Sequence, residues 1–340
     1  MATEHPALVA AARHGLPGVA PRIVTIDGAT QAQQVLYAAA RDRIVGLLGA
    51  VLAAGDVSAP PELTERVTEQ WHDQLIAAVD LETILIEVAR TLDEAQARWC
   101  VIKGAAAAHL DYPDPALRTF GDLDILIHPD SWAAALTHLA AAGWTRELAA
   151  LSSDWDQRFG KGATLTNDRD LELDLHRRLA IGRFGVLLDT RKFFEQDHLE
   201  SIALGGRRIP VLGGPDRLIQ ASFHAALGGF RRLRAFRDVA QILLVTEVDW
   251  RQSIERAGRV QAVLADAIQE TWKRLELEID HPAEQWARAH RPKRLEKHAL
   301  DVFAREAPFR QQALTAVPAL IGRGATRYLW DLIRKPGRRG

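Results

Sequence analysis

Hydrophobic positions along this chain fall into three blocks with different periods. From about Gln31 to Ala54 aliphatic residues are mixed among Ala and Arg, which predicts a helix, and Gly55–Pro61 (GDVSAPP) breaks it. The segment from Pro61 to Gln96 is apolar at Val67, Trp71, Leu75 and Val79, then at Leu81, Leu85, Val88 and Leu92. That is helical spacing, with a gap near Asp80 that predicts a division into two helices. Residues 1–30 carry Gly and Pro at 15, 17, 18, 21 and 28 without a sustained period and read as an irregular arm.

At Ala97 the period changes. RWCVIKG is a short apolar run ending in Gly104, a strand entering a turn, and AAAAHL after it is a strong helix former stopped by DYPDP. LDILIH reads as a buried strand, and HPDSWAAALTHLAAAG as a helix closed by Gly143. ATLT, the polar turn NDRD and LELDLH predict a hairpin in strict alternation; SIALGGRRIPVL predicts another, turning on Gly205–Gly206. After Gly213–Gly214 the pattern is helical to the end, closing on a basic tail, KPGRRG, expected to be disordered. The organisation expected is an arm (1–30), an N-terminal helical region (31–96), an α/β core (97–212), a C-terminal helical region (213–333) and the tail (334–340).

Composition narrows this picture by exclusion. With 47% apolar and 26% charged residues in 340, the chain has the make-up of a globular protein, long enough for two domains or for one domain with helical additions. The net charge of −1 offers no global attraction to nucleic acid or an anionic membrane, so any anionic ligand needs a local basic cluster. One cysteine, Cys100, excludes an internal disulfide and a cysteine-built zinc site. Neither a signal peptide nor an apolar run of about 18 residues is present, so a cytoplasmic protein is expected.

Three features of the core carry chemistry. Lys103-Gly104 ends a strand ahead of a helix, where a glycine lets backbone N–H groups approach a phosphate. Arg118 then precedes Gly121-Asp122-Leu123-Asp124, and strand alternation would set Asp122 and Asp124 on one face, roughly 6–7 Å apart. Finally, alternation puts Glu172, Asp174 and His176 on one face of a further strand. Carboxylates so spaced suit Mg²⁺, which takes a few carboxylates plus phosphate oxygens and water. Two such ions can stabilise attacking and leaving oxygens of a nucleotidyl transfer, Mn²⁺ being able to replace them. Lys103 or Arg118 would neutralise a triphosphate.

The order IKG, YPDPALR, GDLDILI and, some fifty residues later, DLHRR resembles the DNA polymerase β superfamily of nucleotidyltransferases, and within it bacterial, largely uncharacterised nucleotidyltransferase-family proteins. FHAALGGFRRLRAFRDVAQIL extends the likeness, which covers about 97–245. The resemblance implies an α+β fold: a polymerase-β-like core, a small mixed sheet with helices, flanked by N- and C-terminal helical regions. It implies catalysis by Asp122, Asp124 and Asp174 on two Mg²⁺ ions, with Lys103, Gly104, Arg118, Gly121 and His176 at the nucleotide. It also selects Asp174 over Glu172 as third carboxylate. The implied reaction moves a nucleoside monophosphate, AMP by default, from a triphosphate, ATP by default, to a small-molecule, peptide or protein acceptor that the chain does not identify. Two departures stand out: Ala105 where a second glycine or a serine is usual, and Arg177 where an aromatic residue often follows the histidine.

The arginines at 231, 232, 234 and 237 read as a solvated basic face that could also meet phosphate, and Asp238 as a partly buried acid needing a partner, with His224 on the helix before it. Gly160-Lys161-Gly162-Ala163-Thr164 lacks the spacing of a phosphate-binding P-loop. Competing readings are a glycosyltransferase using Asp-x-Asp, a dehalogenase-type phosphatase, and a catalytically weak nucleotide-binding or antitoxin-like module on the same fold. The glycosyltransferase expects an α/β region of several units before the motif, where two helical segments precede it here. The phosphatase expects its apolar strand before the first aspartate, whereas here the apolar residues follow it.

Overall fold

A computed structural model describes residues 4–147, 159–195, 198–228 and 232–334. The tail at 335–340 and Arg231 lie outside them. The expected irregular arm contains a buried helix, α1 (Pro6–Arg13). Its small apolar residues Ala7 to Ala12 are buried on every side, so no amphipathic period marks it. Pro6 occupies its first turn, His5 Nδ1 accepts the Ala7 N–H at 3.1 Å, and Arg237 Nη1 donates to the carbonyls of Ala12 and His14 beyond its last turn.

The helix expected over 31–54 is two. After the short strand β1 (Val24–Thr25), α2 (Gly28–Asp42) ends at Arg43, whose backbone is left-handed (φ 56°, ψ 41°), and α3 (Val45–Ala53) leaves in a new direction. Strand β2 (Val57–Ser58) pairs with β1 in parallel. The opposite correction applies next: α4 (Pro61–Glu94) is one unbroken helix of 34 residues, about 50 Å long. Its gap in apolar spacing marks a change of partner. Leu63 and Val67 enter the core of the helical part, while Ala78, Leu81, Leu85, Val88 and Leu92 enter the core under the sheet. Between them Trp71 donates to the Ala116 carbonyl and Gln74 accepts from the Thr119 hydroxyl, while Ile76 and Val79 stay exposed.

Seven strands, all between residues 99 and 212, form the main sheet of the described residues. They are β3 (Trp99–Val101), β4 (Leu123–Ile127), β5 (Thr145–Arg146), β6 (Gly162–Thr166), β7 (Glu172–His176), β8 (Leu199–Leu204) and β9 (Arg207–Leu212). Their order is β5-β6-β7-β4-β3-β9-β8. Pairing is mixed: β4 runs parallel to β7 and β3 parallel to β9, and the other neighbours are antiparallel. Both predicted hairpins form. In the first, Asn167 Oδ1 accepts the N–H groups of Arg169 and Leu171 and closes the turn. In the second, Gly205 and Gly206 take φ of 53° and 77°, the positive pair that a two-residue hairpin loop requires.

Helices α5 (Ala105–Leu110) and α6 (Trp132–Ala141) belong to the sheet region, and α7 (Gly182–Leu187) follows β7. The chain then continues through α8 (Gly214–Leu227) and α9 (Leu233–Leu244) into further helices as far as Arg334. Every residue of α9 is buried, its arginines included. No described helix is long and apolar enough to cross a membrane. The architecture is α+β, a seven-stranded mixed sheet with many helices.

Candidate active site

Parallel pairing of β4 with β7 sets Asp124 beside Asp174 and Leu126 beside His176. Leu123, Ile125 and Ile127 turn to the core under the sheet, as do Leu173 and Leu175, so alternation directs the carboxylates and the imidazole to the opposite face. Ligand atoms of Asp124, Asp174 and His176 all lie within 4.8 Å of one another. His176 Nε2–H donates to Asp124 Oδ1 at 2.8 Å, and Thr164 Oγ1–H on β6 donates to Asp174 Oδ1 at 2.7 Å. Each carboxylate is therefore aimed by a neighbour. Glu172, on the same face one step out, is exposed and stands opposite Thr166.

Lys103 supplies the counter-charge. Its Nζ sits 2.9 Å from Asp124 Oδ2 and 3.9 Å from Asp122 Oδ2. Burial opposes the ionised form of Asp124, but Lys103 and the His176 hydrogen bond outweigh it and hold this carboxyl far below the ordinary range. Asp122 stands at the rim, one residue before β4 begins and outside the tight cluster, with Arg43 Nη1 3.6 Å from its Oδ1. Gly104 takes φ 61° and ψ −114°, and an added Cβ would come within 3.4 Å of the Phe120 ring. Among the described residues, a Cβ on Gly121 would meet nothing within 4 Å.

Arg118 occupies a different place from the one expected. It is 2% exposed, and its Nε and Nη2 donate to Asp238 at 3.0 and 2.9 Å. Tyr112 O–H donates to the same carboxylate at 2.9 Å. Asp114 Oδ1 accepts the Ala116 N–H, and Trp71 Nε1–H, packed against Gly46 and Gly49, donates to the Ala116 carbonyl. YPDPALR is thus a scaffold that fastens the loop before β4 to α9 and α4. Arg234 and Arg237 are buried rather than a solvated face. Arg177 also turns from the carboxylates, its guanidinium lying 5.6 Å from the Trp132 ring centre.

Several residues at the site escaped the reading of the chain. Thr164 and Lys161 belong to the stretch set aside as a failed P-loop. Lys161 is solvent-exposed, yet its pKa is lowered by the protein packed around the ammonium and by Lys103, while Asp124 and Asp174 raise it. Strand pairing supplies a signal for Gly162, because a Cβ there would lie 2.0 Å from the Leu175 carbonyl oxygen. Arg43 arrives from the N-terminal helices and bears no local mark. His224 lines a small cavity together with Lys103; burial, then the charges of Lys103 and Arg234, lower its pKa well below the usual value.

The donor set fits a hard divalent cation. Asp124 Oδ2 is buried, and its contact with Lys103 is an ion pair without aligned hydrogen-bond geometry. That leaves a desolvated carboxylate oxygen beside a second carboxylate, as oxygen-seeking ions require. The imidazole nitrogen is engaged on Asp124 and serves as an orienting group. Beneath Lys103 a cavity lined by Asp111, Gln220, His224 and Asp238 has about 10 Å³ of free space, far less than a nucleotide needs.

Residues 28–265 match the family described as "Uncharacterised nucleotidyltransferase", and the chain belongs to that family. No curated protein matches it. Two solved structures are similar to the chain in part. An antigenic nucleotidyltransferase-like protein from Paracoccidioides brasiliensis has a TM-score of 0.35 and 16% identity, over 60% of this chain and 95% of its own. The solution structure of antibiotic-resistance factor ANT(2'')-Ia has a TM-score of 0.36 and 13% identity, over 58% of this chain and 95% of its own.

Proposed function

We propose that this chain is a Mg²⁺-dependent nucleotidyltransferase, transferring a nucleoside monophosphate, AMP by default, from a triphosphate to the hydroxyl of a small-molecule, peptide or protein acceptor. The observation that carries the reading is the pairing of Asp124 with Asp174 across two parallel strands, beside Lys103. Asp122, Asp124 and Asp174 would hold the metal, as two ions, with Mn²⁺ able to replace Mg²⁺. When bound, such ions supply Lewis-acid stabilisation of charge on the attacking and leaving oxygens.

The protein's own groups divide the remaining work. Asp174, aimed by Thr164, accepts the proton of the acceptor hydroxyl. The hydroxyl oxygen bonds to the α-phosphorus as the bond from that phosphorus to the bridging oxygen breaks, and pyrophosphate leaves. Lys103 neutralises charge on the phosphates, and His176 keeps Asp124 in its working orientation. Gly104 and Gly121 leave room for the nucleotide at the mouth. A cytoplasmic setting, with triphosphates and Mg²⁺ at hand, accords with this chemistry. The net charge of −1 disfavours a long nucleic-acid acceptor.

The test is incubation with Mg²⁺ and each α-labelled triphosphate, reading label transfer and pyrophosphate release in the presence of cell extract as acceptor source. Asp124→Asn and Asp174→Asn should each remove at least about 99% of the activity, since they delete charges that the transition state needs. Transfer that survives both substitutions would sink the reading.

A further inference from the structure

We propose that Arg43 grips the β- and γ-phosphates of the bound triphosphate, so that the N-terminal helices complete the nucleotide site; this rests on the nucleotidyltransferase reading above. Arg43 and Lys103 reach Asp122 from separate parts of the chain, at 3.6 and 3.9 Å. Both cations therefore border Asp122, and Lys103 reaches on to Asp124. The Arg43 side chain is 37% exposed, so its guanidinium can exchange Asp122 for a ligand.

Its backbone supports the same assignment. Arg43 closes α2 in the left-handed conformation, a position where glycine is the usual residue and a side chain brings strain. Strain of this kind persists where surrounding structure holds it and the side chain is used. Here the hold is visible: the Arg43 N–H bonds to the Ala40 carbonyl at 3.1 Å, and the Ile44 N–H to Ala39 at 2.9 Å. Asp42, 2% exposed, accepts the Leu233 N–H at 3.2 Å and ties this corner to the start of α9. A fixed backbone thus presents a movable fork.

Other basic side chains lie near Arg43, each with its own carboxylate. Arg234 is buried close by; burial first, then the charge of Arg118, with Arg43 adding to it against the pull of Asp238, lowers its pKa to about 9, so it remains charged at neutral pH. Arg232 feels burial and Arg43 in the same sense. Arg118 and Arg234 answer to Asp238, Arg232 to Asp42 and Lys103 chiefly to Asp124, which leaves Arg43 paired with Asp122 at the rim. A part-exposed guanidinium fork held by a single carboxylate can turn to a polyanion whose oxygens match it, and the tail of a triphosphate is such a group.

Arg43→Gly separates the roles, because glycine relieves the left-handed backbone while deleting the fork. Calorimetry with Mg²⁺ should compare α,β-methylene triphosphates of adenosine, guanosine, cytidine and uridine with the corresponding monophosphates. For the triphosphate that binds, Arg43→Gly should weaken affinity about 10- to 100-fold and leave the monophosphate unchanged, as expected for a charge-assisted hydrogen bond. Arg43→Lys should fall between the two, and Arg43→Gly without nucleotide should melt no lower than the parent. Equal loss for both nucleotides, unchanged triphosphate affinity, or a lower melting temperature overturns the assignment. A parent that binds none of the triphosphates overturns the nucleotidyltransferase reading as well. Binding that needs Asp124 but ignores Arg43→Gly overturns the Arg43 assignment alone.

Discussion

Replacing Asp238 by alanine tests whether Arg118 belongs to the scaffold or to the ligand. The substitution removes both acceptors from a guanidinium that is 2% exposed, leaving it one contact, to the Thr119 carbonyl at 3.3 Å. Breaking a buried ion pair from one side costs about 3–5 kcal/mol. The Tyr112 hydroxyl loses its acceptor too, adding about 1 kcal/mol. A total of about 4–6 kcal/mol is a large share of the 5–15 kcal/mol typical of a folded domain. With a urea slope of about 3 kcal/mol per molar, the unfolding midpoint should fall by roughly 1.3–2 M. Arg118→Met alone should also destabilise, and the double variant should cost less than the two losses summed, by at least about 2 kcal/mol. Triphosphate affinity of that double variant should equal the parent's. Coupling below about 0.5 kcal/mol refutes the buried pair, and a double variant that folds but binds triphosphate more than about tenfold more weakly returns Arg118 to the ligand.

Other substitutions probe separate links. Gly162→Ala brings a Cβ to 2.0 Å from the Leu175 carbonyl, a backbone atom that no rotamer can relieve, and should cost at least about 3 kcal/mol in chemical denaturation; a loss under about 1 kcal/mol contradicts the close approach of β6 and β7. Thr164→Val removes the hydrogen bond that aims Asp174 and should lower turnover about tenfold with little change in melting; unchanged turnover means Asp174 needs no such help. Asp111 should make stability depend on pH. Burial, opposed by Arg217 and Thr246, raises its pKa from 3.8 to about 6, so its contribution is complete below about pH 4 and is lost as pH rises through 6. The whole effect is about 3 kcal/mol, of which roughly 2 falls between pH 4 and pH 7. Over that range Asp111→Asn should gain on the parent by this amount in urea midpoints at each pH, and parallel profiles refute the shift.

Much of the sheet was legible because its information is local. Alternation in LELDLH, the polar turn before it and the glycine pair at 205–206 each depend on residues a few positions apart, and β7 and both hairpins follow from them. Alternation also separates Asp174 and His176 from Leu173 and Leu175. Distant partners decide the rest. Nothing near Asp124 in the chain tells that Asp174 lies beside it, since that is the work of parallel pairing between strands about fifty residues apart. The same limit explains α1, whose burial on all sides erases the period that marks a helix, and α4, whose apolar spacing lapses where it passes from one core to the other. Charge was hardest to read. Arg118, Arg237 and Arg43 look alike in sequence, yet one is locked to Asp238, one caps α1 and one faces the open site. A guanidinium's role follows from which acceptor the fold brings within about 3 Å and whether water is excluded there. Those are properties of packing between segments far apart in the chain, and the tertiary structure alone decides them.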